Sequence, residues 1–192
     1  MKRQPFSCNI MKLQEREGKN HMKAIDVANI FIELANDDEQ GNITNMAVNK
    51  LVYFAQGWSL ALLNKPLFDD DILAWQYGPV EKQVYYTFKP CGRDLIEEPS
   101  ENVDTENLNS DEIDLIMDVY NHYREYSSIG LMNLSHDEEG PWAKNYDMNV
   151  IGGTVIPKKE IQAYFKKLKP IKRFSDVCIP EESIDNSYLS LV

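Results

Sequence analysis

No run in this chain of 192 residues approaches the ~18 consecutive apolar positions of a membrane-spanning helix. The N-terminal stretch "MKRQPFSCNIMKLQEREGKN" lacks the apolar segment of a secretory signal. Cysteine is scarce: Cys8, Cys91 and Cys178 are odd in number and far apart. They supply neither a disulfide framework nor a zinc-ligand spacing, and reduced thiols in a cytoplasmic protein are expected. Basic residues are outnumbered, 20 Lys and Arg against 31 Asp and Glu, for a net charge of -11. That balance disfavours nucleic acid as a partner, because phosphate neutralisation needs basic surface. Neither a membrane nor nucleic acid is therefore an expected partner. What the chain does have is 43% hydrophobic residues, enough for a real core and too many for a disordered polymer.

Charge is unevenly spread. Residues 1–23 carry a net +4, Asp94 to Glu139 a net -13, and Pro157 to Arg173 a net +6. The acidic stretch reads either as a solvated face with a loop or as a surface that steers a basic partner toward it.

Apolar spacing predicts a mainly α, single compact helical domain with a small β element. Helices are expected over about Ala24–Ala35, from Asn45 to about Asn64 behind a Thr44 cap, from Pro79 to about Phe88, from a Ser110 cap, after Ser127 or Ser128, and from Pro157. A strand-like run covers Ile72–Tyr77, and Glu97–Asn109 reads as an acidic loop. The expected organisation is a flexible tail over 1–22, a folded domain over 23–169, and a C-terminal tail over 170–192. Met22 is the expected initiator, because Glu15–Gly18 fits a purine-rich run such as precedes bacterial start codons.

Chemistry is sparse. "GxxxxGK" is absent and Gly152-Gly153 stands alone, so no phosphate cradle is evident. Cys91 and His136 offer a nucleophile and a base, but nothing in their spacing brings them together. His136-Asp137-Glu138-Glu139 offers one imidazole and several oxygens, a set more consistent with a helix terminus than a metal site. Asp69-Asp70-Asp71 reads as a solvated loop, and His122 as surface. No catalytic residue, cofactor or metal ligand is expected.

Two segments carry more information. "NKLVYFAQGWSLALLNKPLFDDDILAWQYGPV" (49–80) and "LSHDEEGPW" (134–142) resemble the signatures of the Panacea domain, the family of SocA-like and GepA-like antitoxins of bacteria and their prophages. A weaker similarity lies in the Ile161–Phe165 helix, and the resemblance as a whole runs from about Ala24 to Leu168. It implies a non-enzymatic antitoxin of a bacterial or prophage toxin–antitoxin module. Such a protein binds a cognate protein toxin directly and acts in the cytoplasm. The alternatives are a proteolytic adaptor delivering its partner to an ATP-dependent protease, with that protease as a further partner and "YLSLV" as a docking tail, or a hydrolase or DNA-binding regulator.

Within these segments Tyr53, Phe54 and Trp58 read first as core, and mid-helix Gly57 points to close packing. Trp75, Tyr77, Gly78 and Pro79 form one expected corner; His136 and Trp142 form a second that packs against it. The corners are either purely structural or the borders of a groove that grips a toxin segment. Trp58, Phe68, Trp75, Tyr77, Pro79, His136 and Trp142 are the candidate partner-binding residues.

Overall fold

A computed structural model describes residues 22–38, 41, 43–101 and 109–173. The expected initiator tail up to residue 21, part of the acidic loop (102–108), Cys8, Cys178 and the terminal "YLSLV" lie outside the described residues. Helix α1 spans Ala24–Asp37 and α2 Asn45–Trp58, the latter running on into a π-helical turn at Ser59–Leu63. Strands β1 (Ile72–Trp75) and β2 (Gly78–Glu81) form a hairpin, followed by α3 (Lys82–Phe88) and a 3-10 turn at Lys89–Cys91. Then come α4 (Ser110–Tyr123), α5 (Ser128–Ser135), α6 (Pro141–Asn145), β3 (Thr154–Val155) and α7 (Lys158–Phe165). The sheet is antiparallel in the order β2-β1-β3. The architecture is mainly α with a small sheet, and no helix among the described residues is long and apolar enough to cross a membrane.

Helix α2 is the axis of the molecule. All but one of its residues are buried, and α1, α4, α5, α7 and β2 pack around it. A helix buried on every side has no solvent-facing stripe, which is why Asn45, Asn49, Lys50 and Gln56 are interior polar groups. Thr44 caps it as expected, accepting from the Ala47 amide. Gln56 accepts from the Leu67 amide and donates to the Phe68 carbonyl, pinning "PLF" to the helix axis. Trp58 donates to the Tyr123 hydroxyl at 3.0 Å, and Phe54 stacks on the Tyr123 ring. Phe165 of α7 meets Trp58 and Tyr53 edge-on. A Cβ at Gly57 would lie 2.3 Å from the Phe165 ring, so the glycine is what admits α7 to this contact.

Several expectations need correction. Pro79 does not open α3; it lies in β2, paired with Ala74, on a sheet edge where its missing amide is tolerated. Helix α3 begins three residues later, capped by Glu81, whose carboxylate accepts from the Gln83 and Val84 amides. The cap of α4 is Asn109, one residue before Ser110. The helix expected to reach about Asn64 does run to Leu63, but its last turn is widened to a π-helical one, beside which the Ser59 hydroxyl donates to the Lys65 carbonyl and Gln162 of α7 to the Leu60 carbonyl. Asp70, expected in solvent, accepts from the Ala24 amide at 2.8 Å and satisfies the start of α1. Met22 and Ile171, at the two edges of the expected domain, are both buried in the core. Arg173 lies 3.5 Å from the buried Asp118.

Candidate partner-binding groove

The two expected corners are built from the hairpin and from the turn between α5 and α6. In the hairpin, Gly78 adopts φ 99° and is buried; a Cβ there would approach Ser135 Oγ and Lys50 Nζ within 3 Å. Lys50 Nζ donates to the Pro79 carbonyl at 2.8 Å, tying β2 to the helix axis. In the second corner, the chain turns over Asp137–Gly140 and re-enters a helix at Pro141, a residue pre-set for a first turn.

Trp142 joins the corners. Its indole N–H donates to the Trp75 carbonyl at 2.8 Å, and its ring is sandwiched between His136, 3.9 Å away, and Tyr146. The Tyr164 hydroxyl donates to Asp137, and Asn145 donates to Glu160, so α7 braces the same corner.

Trp75 is held from a third direction. Its own indole N–H donates to the Gly152 carbonyl at 2.8 Å, and a Cβ at Gly153 would fall 2.4 Å from its ring. Gly152-Gly153 therefore has a structural reason invisible to motif reading: both have positive φ, and the second lets the backbone lie against an indole.

Between these supports lies a groove of about 800 Å³. Trp75, Tyr85 and Tyr86 form a cluster of edge-to-face rings along it, with Lys89 over the Tyr86 ring. The loop from Tyr146 to Gly153 lines it too, and Asn45, Asn49 and Lys50 present their buried side chains from α2. Tyr77, Tyr86, Met148 and Val150 also line it and are all exposed, Met148 at 81%.

The electrostatics follow from burial. Lys50 is pushed down to about 7, because its ammonium is removed from water. His136 is held below the usual histidine range by burial and then by the nearby Lys50 charge. His136 Nε2 is buried without a hydrogen-bond partner among the described residues. Glu81 is raised by burial, although the amides it caps oppose that shift.

The candidate residues separate by position. Trp58 and Phe68 are core side chains with almost no exposed surface and do not line the groove. Pro79 is buried and serves through its carbonyl. Trp75 and Tyr77 line the groove, whereas His136 and Trp142 stack behind the hairpin as its brace. Sequence reasoning missed Tyr85, Tyr86, Met148 and Lys50. Only Lys50, a cation on a helix with no polar face, left a signal that could have been read. Cys91 sits in the turn after α3, and no hydrogen bond joins it to His136 among the described residues. Nor does any group of three acidic, histidine or cysteine side chains there offer a metal cage.

The comparisons converge on one family. The family model described as "Antitoxin SocA-like, Panacea domain" matches residues 48–143, which include α2, the hairpin and the His136–Trp142 corner. This is narrower than the span of about Ala24 to Leu168 expected from the motifs. The chain is also similar to Antitoxin SocA of Caulobacter vibrioides (strain NA1000 / CB15N), at 42% identity over 50 residues. That alignment spans 26% of this chain and 27% of the relative. No solved structure matches. With half its length matched by the family model, the chain belongs to the antitoxin SocA-like, Panacea-domain family.

Proposed function

We propose that this protein is an antitoxin that neutralises a cognate protein toxin by direct binding, without turnover chemistry. The observation that carries this reading is the meeting of the two motif segments at one place. The 49–80 and 134–142 stretches close on each other through the Trp142–Trp75 bond and frame an open groove with an exposed aromatic and apolar rim. Exposed aromatic and methionine side chains clustered around a concavity are the usual anchors of a protein interface. The acidic exterior, with Asp94, Glu97, Glu98, Glu101, Asp111, Glu125 and Asp137–Glu139 exposed, suits encounter with a basic toxin.

The test is expression of the reading frame that neighbours this gene, alone and together with this chain. Growth arrest with the neighbour alone, rescue on co-expression, and co-purification of the two proteins is the expected result. Rescue without physical association would instead favour an indirect route. Rescue lost in Cys91→Ala or His136→Ala proteins that still fold and still bind the toxin would favour turnover.

A further inference from the structure

The groove holds a buried amine that no carboxylate among the described residues pairs with. Lys50 is 1% exposed, its Nζ donates to one carbonyl, that of Pro79, and it forms no ion pair among the described residues. Next to it in sequence, Asn49 is also buried and keeps Oδ1 unbonded, although its Nδ2 is held by Asn45. A buried ammonium with donors to spare is unfavourable unless something satisfies it. The charged side chains lining the groove are Lys50, Lys89 and Asp147, a positive balance on a chain whose net charge is -11.

We propose that the groove seats a carboxylate-bearing apolar segment of the toxin, its acidic side chain or terminal carboxylate set against Lys50 and its apolar neighbours against Tyr86 and Met148. This rests on the antitoxin reading above and adds which part of the toxin enters, and where. A groove of about 800 Å³ accommodates a few side chains, and an anion among them would favour the protonated form of the enclosed amine. A basic segment would meet the Lys50 and Lys89 charges unfavourably. The toxin's basic surface faces the acidic exterior while an acidic anchor enters the groove. Attraction over the surface and seating in the groove thus use charges of opposite sign.

The experiment is calorimetric titration of this chain with the purified product of the neighbouring reading frame, for the wild type, Lys50→Met and Met148→Asp. Circular dichroism and a thermal melt accompany each variant. Both variants are expected to lower affinity at least ~10-fold while remaining folded. Among toxin variants with single carboxylates converted to amides, one should weaken wild-type binding yet cost little more in Lys50→Met, the sign of a coupled pair. Wild-type affinity in a folded Lys50→Met protein, or no toxin carboxylate coupled to it, overturns the proposal. Should Lys50→Met fail to fold, wild-type affinity in Met148→Asp overturns it by itself. A dimer of this chain that Met148→Asp disperses puts a second copy in the groove and also overturns it. Absence of toxin binding by the wild type defeats the antitoxin reading, and the proposal with it.

Discussion

Burying Lys50 takes an ammonium out of water and leaves it, among the described residues, the Pro79 carbonyl as hydrogen-bond partner. The linkage has a definite sign. A lysine near its ordinary value in the unfolded chain and lowered to about 7 in the fold binds more protons when unfolded, so stability rises with pH between those two values. Below about 7 this contribution is flat. From pH 7 to 9 the slope should approach but not exceed ~1.4 kcal/mol per pH unit. Urea unfolding across that window should show the rise in the wild type and a flat profile in Lys50→Met. The histidines His122 and His136 are lowered from a value already below this window, and Tyr53, Tyr120, Tyr123 and Tyr164 are raised from one above it. Lys50 is thereby isolated. Gly57 makes the opposite point about cost: its absent side chain, unfavourable in a helix by ~1 kcal/mol, is what allows the Phe165 ring to reach Trp58.

Among elements, the bond from Trp142 to the Trp75 carbonyl is the joint that fastens α6 to β1. Trp142→Phe keeps an aromatic ring between His136 and Tyr146 but leaves that carbonyl without its donor. The expected loss is about 1–3 kcal/mol in urea unfolding, with helix content retained. An unchanged stability in Trp142→Phe would show that the bond contributes nothing measurable. Elements were legible where a local rule decided them: Thr44 as a cap, Ser127 as one of the two caps read for α5, and the apolar period of α1, α2 and α4. They were illegible where a distant residue decided. Asp70 caps a helix 46 positions away, Gln162 relieves the end of α2 from α7, and Pro79 is admitted to a strand because β1 lies beside it. The corners were readable as rigid dipeptides and their mutual packing was anticipated. The aromatic row Trp75–Tyr85–Tyr86 was not, because the hairpin and α3 bring it together only in three dimensions.

For the molecule as a whole, a chain carrying a net -11 projects a negative field, which in the proposed function gathers a basic toxin before it docks. Stopped-flow association with the toxin should slow by about 10-fold as salt rises from about 0.05 M to about 0.5 M, because the screening length shrinks to a few ångströms. The dissociation rate should change far less, since the contacts proposed to hold the complex are apolar or enclosed. A salt-independent association rate would remove the acidic exterior from the account.

The Gly152 carbonyl that receives the Trp75 indole lies outside the matched stretch of 48–143, as does the loop it anchors. One bank of the groove thus lies mostly within the matched stretch, while the facing bank hangs from it on a pair of glycines and has Met148, Val150 and the fully exposed Ile151 nearby. A change in that loop would reshape the second bank while leaving in place the bonds that hold the first, Trp142 to Trp75 and Lys50 to Pro79.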